Sequence, residues 1–154
     1  MRLGLAVATL VVVLDQVSKW VILVWVMDPP RSIPVLPVFN LVLVWNRGVS
    51  FGVFGGGLVP PWVLVVLAAA IVVLLLIWLH RAETRLTALA IGMVIGGAVG
   101  NVIDRLTHGA VVDFLDFHLA GYHWPAFNLA DSAITIGVGL LLAESLFPGR
   151  QAVK

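Results

Sequence analysis

Asp113 and Asp131 are the residues whose type and setting could do chemistry in this chain. Asp113 stands in "AVVDFLDF" and Asp131 in "FNLADSAI", each beside one end of an apolar stretch long enough to be a membrane span. In a compact bundle those two ends can be neighbours, so the two carboxylates could face each other at one depth. Two close carboxylates cannot both ionise cheaply: one pKa rises and the pair shares a proton. One member can then activate water while the other protonates a leaving group or polarises a carbonyl. A plainer role is open as well, because Asn128 or Asp131 could simply cap the helix that follows.

Further polar residues stand close to these two. Asn101 is a helical neighbour of both Asp104 and Arg105, so a local polar knot is expected there, unless the three only cap a helix end and anchor it at the interface. Gly92, Gly96 and Gly100 recur every fourth residue before it and let another helix approach closely. Asp15 and Lys19 are four apart on one helix face, in the favourable acidic-before-basic order. Each such charge costs about 2.5–3.5 kcal/mol at mid-span. The pair therefore needs a protein-lined environment, either as an ion pair orienting the helix or as a part of a substrate site. Other chemistries are poorly supplied. The chain has no cysteine, so disulfides, thiolate metal sites and a Cys nucleophile are excluded. His80, His108, His118 and His123 show no metal-ligand spacing, and Ser50 and Ser132 have no obvious histidine partner. No metal or cofactor is expected.

The elements that must position these residues follow from composition. The 154 residues are 61% hydrophobic and only 11% charged, with a mean hydropathy of +1.10. A soluble domain of that length cannot hide so much apolar surface, whereas a bilayer can. Nine basic and eight acidic residues give a formal charge of +1, which offers no surface for nucleic acid. Four segments, about 3–27, 62–79, 86–103 and 129–147, have the roughly 20 residues needed to span a bilayer. The first resembles a secretory signal peptide, but Asp15, Gln16 and Lys19 interrupt it and no small-residue cleavage site follows, so it reads as a retained span. Arg2, the "HRAETR" turn, Arg150 and Lys154 fall on one side, which the positive-inside rule makes cytoplasmic, with both termini inside.

The segments between the first and second spans and between the third and fourth then face outward. "VFNLVLVWNRGVSFGVF" is rich in β-branched and aromatic residues and carries a turn signal at Asn46-Arg47-Gly48. It reads as two short strands joined there, within a β-element of about 33–57. "VVDFLDFHLAGYHWPAF" reads as a short interfacial segment, with Asp116 a solvated residue in it. The expected fold is an all-α polytopic membrane protein of four transmembrane helices, with a small extracytoplasmic β-element, in a single membrane-embedded domain over 1–154.

Five stretches in this order resemble the lipoprotein signal peptidases, or signal peptidase II: "DQVSK" (Asp15–Lys19), "NRGVSF" (Asn46–Phe51), "GGAVGNVIDR" (Gly96–Arg105), "VVDF" (Val111–Phe114) and "FNLADS" (Phe127–Ser132). The resemblance covers nearly the whole chain. It implies an aspartic endopeptidase of the bacterial cytoplasmic membrane that needs no cofactor and no oligomer. Its partners would be membrane lipid and a prolipoprotein already carrying diacylglycerol, cut just before the lipidated cysteine. Carried over by motif, Asp113 and Asp131 would be the catalytic pair near the outer face. Asn101, Arg105 and Asn128 would line the site and hold substrate backbone or the pair. Asp15, Lys19, Asn46 and Gly48 would help form a substrate-facing wall, and Asp104 would be mainly structural. The β-element would cradle the lipid-bearing part of the substrate. Asp116 matches no catalytic position. A small transporter or proton channel is the competing class, since intramembrane Asp, Lys and Asn would suit one. It predicts ionisable residues spread through the full depth. A noncatalytic membrane assembly factor, with the glycines packing a partner, is a third.

Overall fold

The computed structural model describes residues 1–48 and 60–146. Helix α1 (Arg2–Val21) runs on into one wider turn over Ile22–Val26. Strands β1 (Ile33–Leu36) and β2 (Phe39–Asn46) follow, then helices α2 (Pro61–His80) and α3 (Arg85–His108), strands β3 (Val111–Leu119) and β4 (Tyr122–His123), and helix α4 (Leu129–Leu146). All four helices are long and apolar enough to cross a membrane.

Helix α3 is the central one and packs against the other three. Its start is fixed by Thr84, whose Oγ1 accepts from the Thr87 amide at 2.9 Å. It stops at Gly109, in the left-handed region at φ 71°, whose amide closes the last turn onto the Arg105 carbonyl. The glycines expected to admit a neighbour do so: a Cβ on Gly92 would lie 2.4 Å from the Gly4 carbonyl oxygen of α1, and one on Gly97 the same distance from the Ala130 carbonyl oxygen of α4. Helix α2 exposes Trp62, Val66, Leu74 and Ile77, as suits a helix whose solvent is lipid. Gly4 lies against Leu79 and Ala88, and Thr84 and Thr87 bond Glu144. The start of α1, the α2–α3 turn and the end of α4 therefore share one end of the bundle.

The sheet sits at the other end, antiparallel in the order β1-β2-β3-β4. Val112 and Phe114 of β3 pack on Ile22 and Met27 below α1, which ties the sheet to the bundle. Here the structure differs from the sequence reading. The hairpin joins β1 to β2 through Pro37 and Val38, and the other partner of β2 is β3, with Val44 opposite Asp113 and Asn46 opposite Val111. The strand expected after Gly48 lies outside the described residues. The stretch read as an interfacial segment is mostly strand β3, the longest among the described residues, and it escaped the sequence reading because both of its faces are covered from Val111 to Phe114 and no polar alternation marks it. Asp116 is also not a freely solvated residue. It is 6% exposed, accepts from Asn40 Nδ2 at 2.9 Å and pairs with His123 Nδ1 at 2.9 Å. Burial pushes its carboxyl up, but those hydrogen bonds and the neighbouring imidazoles outweigh this and hold it below its ordinary value.

Candidate active site

Asp113 sits in mid-β3 and is 1% exposed. Its Oδ1 accepts from Asn128 Nδ2 at 2.7 Å and its Oδ2 from Asn46 Nδ2 at 3.0 Å. Strand register brings Asn46 there, since β2 runs alongside β3 and ends beside Val111. Asp131 stands in the first turn of α4. Asn128 and Asp131 cap that turn reciprocally: Asn128 Oδ1 accepts from the Asp131 amide at 2.9 Å, and Asp131 Oδ2 accepts from the Asn128 amide at 3.3 Å. Capping and joining the carboxylates are thus one arrangement, because the same fully buried Asn128 side chain reaches Asp113. Asn101 of α3 completes it, with Nδ2 donating to Asp131 Oδ1 at 2.9 Å.

Arg105, one turn beyond Asn101, donates to the Gly48 carbonyl at 2.8 Å and to the Asn101 carbonyl at 3.3 Å. Gly48 in turn donates its amide to Asn46 Oδ1 at 3.0 Å. A chain of contacts therefore runs from α3 through the turn after β2 to Asp113, and the guanidinium stays within electrostatic reach of both Asp131 and Asp113.

Asp15 and Lys19, expected along a substrate-facing wall, and Asp104, expected to be structural, are all buried. They are 0%, 3% and 2% exposed, and the Lys19 ammonium is 2.8 Å from a carboxylate oxygen of each aspartate. Asp104 turns toward α1, about 100° around the helix from Arg105, and joins the polar knot expected around Asn101 through the Lys19 ammonium, which reaches both, rather than directly. Gln16 was missed as a site-supporting residue. Its Nε2 reaches Asp104 Oδ1 at 2.9 Å, and the signal for it was a second polar side chain inside an apolar span. The transport reading gains nothing, because the buried charges of α1 join those of α3 at the sheet end in one cluster.

Two apolar recesses flank the carboxylates. One, of about 210 Å³, lies between Leu67 and Ile71 of α2 and Ala98 and Arg105 of α3, and the other, of about 340 Å³, between Trp124, Phe127 and the Asp131 turn of α4. A third, of about 300 Å³, lies at the opposite end around Thr84 and Glu144, away from the carboxylate pair. Among the described residues, no three His, Asp or Glu side chains converge as metal ligands.

Burial pushes the Asp113 carboxyl from its ordinary 3.8 up to about 7, and the charge of Asp131 adds to the rise. Hydrogen bonds from Asn46 and Asn128, and the charge of Lys19, oppose it without cancelling it. The Asp113 carboxyl therefore exchanges its proton near neutrality. A carboxyl raised in the folded state binds its proton more tightly there. Its contribution to stability is full below about 3.8 and is lost as pH rises through about 7. Thermal unfolding in detergent is expected to show this as a fall in Tm across that window, and Asp113→Asn is expected to flatten it. An equally steep fall in the variant would assign the titration to another group.

The whole architecture is shared with known proteins. A family model described as signal peptidase (SPase) II matches residues 7–147. A lipoprotein signal peptidase of Rhodopseudomonas palustris (strain TIE-1) is 44% identical over 159 residues, covering 99% of this chain and 96% of that protein. One from Azoarcus sp. (strain BH72) is 50% identical over 149 residues, covering 95% of this chain and 84% of that protein. A bacterial membrane enzyme solved by the in meso method at 2.3 Å resolution superposes with a TM-score of 0.82 at 31% identity, covering 100% of this chain and 96% of that one. With four apolar helices, a small antiparallel sheet and a match over nearly its full length, the chain belongs to the signal peptidase II family and is a membrane-embedded peptidase.

Proposed function

We propose that the chain is an aspartic endopeptidase that removes the signal peptide from diacylglyceryl-modified prolipoproteins, cutting just before the lipidated cysteine, with Asp113 and Asp131 as its catalytic pair. The observation that carries this reading is the buried Asn128 amide touching both residues, with the Asp113 carboxyl raised to about 7. Near neutrality one carboxyl of the pair is protonated and one ionised. Asp131 takes a proton from water as the water oxygen bonds to the scissile carbonyl carbon. Asp113 gives its proton to the carbonyl oxygen, and a gem-diol forms. Collapse of the gem-diol breaks the C–N bond. The amine of the lipidated cysteine leaves with the proton held by Asp131, Asp113 takes back one hydroxyl proton of the gem-diol, and the new carboxyl group of the signal peptide loses the other to water. Asn46, Asn101 and Asn128 hold the two carboxyl groups throughout, and Arg105 with Gly48 shapes the outer edge. Two acyl chains anchor the substrate in the bilayer and fix the depth of its scissile bond.

Purified protein in detergent is expected to cut a diacylglyceryl lipobox peptide just before the modified cysteine and to cut the unlipidated peptide poorly. Product masses locate the cut. Equal turnover of both peptides would remove the lipid from recognition, and no cleavage of either would sink the peptidase reading for this substrate.

The same reading puts the carboxylate end outside the cytoplasm, in the bacterial inner membrane, with both termini inside. Arg2, Arg81 and Arg85 lie at the opposite end, which supports this orientation modestly, since Arg31, Arg47 and Arg105 lie at the sheet end. The chain has no native cysteine, so single cysteines report cleanly. Ser32→Cys in intact spheroplasts is expected to label with an impermeant thiol reagent, and Glu83→Cys only after lysis. The reverse pattern would put the site on the wrong side for exported lipoproteins.

A further inference from the structure

Lys19 is a single buried ammonium at the junction of four elements. It lies 2.8 Å from Asp15 Oδ2 of its own helix and 2.8 Å from Asp104 Oδ2 of α3. Each of these carboxylates also holds one backbone amide, and the two amides are the informative ones. Asp15 Oδ1 accepts from the Ala130 amide at 3.0 Å, the residue before Asp131. Asp104 Oδ2 accepts from the Val112 amide at 3.0 Å, the residue before Asp113. One cation thereby fixes the backbone next to both members of the pair, across α1, α3, β3 and α4.

A third contact sets polarity. Lys19 Nζ donates to Asn101 Oδ1 at 3.3 Å, and Asn128 Nδ2 donates to the same oxygen at 3.2 Å. An ammonium can only donate, so the Asn101 oxygen must face it and the amide nitrogen must face Asp131. Space for all this depends on Gly100: a Cβ there would lie 2.5 Å from Asp15 Oδ2. Gln16 satisfies Asp104 Oδ1 at 2.9 Å.

We propose that Lys19 is a positioning residue for the carboxylate pair, acting through Asp15, Asp104 and Asn101 rather than by touching substrate. The proposal rests on the assignment of Asp113 and Asp131 as the catalytic pair. The charged and titratable groups facing this junction are Asp15 on α1, Asp104 and Arg105 on α3, Asp113 on β3 and Asp131 on α4. Lys19 is a nearby positive charge that opposes the rise of Asp113. Its removal therefore loosens the geometry and moves the Asp113 titration to higher pH, and a purely structural filler would do only the first.

The test compares Lys19→Met and Asp15→Asn with the wild type in detergent. It reads kcat and KM on a diacylglyceryl lipobox peptide and follows Asp113 by carboxyl carbon NMR against pH. Lys19→Met is expected to lower kcat about 100-fold, the usual penalty for a misplacement of about 1 Å, with KM little changed and the Asp113 titration shifted upward. Asp15→Asn leaves the ammonium in place. It is expected to lower kcat by slackening the start of α4 while the Asp113 titration does not rise. An unshifted titration in Lys19→Met overturns the proposal whatever the kcat, and so does a raised KM with kcat kept, which would make Lys19 a substrate contact. If Lys19→Met does not fold, Asp15→Asn decides by its kcat and KM split, and unchanged kcat there overturns the proposal. Failure of the wild type to cleave would defeat the functional reading alone, because the NMR titration still reports on the positioning.

Discussion

Asp113→Asn and Asp131→Asn are each expected to lower kcat/KM for the lipidated peptide by about a thousandfold, within the range that general acid–base groups supply. In the proposed mechanism the pair passes a proton from water to the leaving amine, which neither asparagine can exchange. Insertion and helix content are expected to survive, because all four helices are apolar and α3 packs against the other three without either side chain. The variants differ in one respect. Both oxygens of Asp113 accept from asparagine NH₂ groups, so an amide there sets one donor against another. Turning Asn46 round to relieve the clash would break its bond from the Gly48 amide. Asp113→Asn therefore costs about 1–3 kcal/mol of local hydrogen bonding, offset by loss of a carboxyl that burial already disfavours. Turnover must be scaled to the folded fraction measured by thermal unfolding. Asp116→Asn on the same strand is the control and keeps most of its activity, because its partners Asn40 and His123 are not those of the pair. Near-normal turnover in Asp113→Asn or Asp131→Asn takes that residue out of the mechanism.

How much of this was legible in the sequence depended on the range of the interaction. The four spans were legible because length and hydropathy are local properties, and their bounds agree with the helices to within about two residues at most ends. The glycine stride of α3 was legible as close packing for the same reason. Which helix each glycine meets was not, since Gly92 faces α1 and Gly97 faces α4 though they are five residues apart. The sheet was half legible. Strand β2 shows its β-branched run, but its pairing with β3 spans some seventy residues and leaves no local mark. Strand β3 is covered on both faces and loses the alternation that identifies a strand. In the site, the Asn128–Asp131 cap was open to local reading. That the same Asn128 amide turns to Asp113 depends on where the sheet docks. Asp15 and Lys19 were rightly paired, yet their second partner, Asp104, is 85 residues from Lys19 and set the pair inside the protein rather than along a wall. Sequence spacing gave the pairs within one helix. The junctions between elements came only with the fold.

Gly97→Ala has the second large expected effect, and it tests those junctions directly. The added methyl would lie 2.4 Å from the Ala130 carbonyl oxygen and 2.7 Å from Ile134 Cγ1. The carbonyl belongs to the helix backbone, so no side-chain rotation relieves it, and α4 must move off α3 by roughly 1 Å to restore ordinary contact. That displacement falls one residue before Asp131. It stretches Asn101 to Asp131, now 2.9 Å, and Asn128 to Asp113, now 2.7 Å. A loss of about 100-fold in kcat is expected, with about 1–3 kcal/mol of stability from overpacking. Two other substitutions separate these effects. Gly92→Ala makes the same backbone collision, 2.4 Å from the Gly4 carbonyl oxygen, at the end of the bundle away from the carboxylates. It is expected to destabilise as much while keeping most of its kcat. Gly139→Ala lies on α4 with nothing within 4 Å of the new methyl, and it should leave kcat unchanged and stability the same or up to about 1 kcal/mol higher. Comparable kcat losses in Gly97→Ala and Gly92→Ala would mean that overpacking acts through general destabilisation. Loss confined to Gly97→Ala would mean that the closeness of α3 and α4, which only a glycine at 97 permits, sets the distance between the two aspartates.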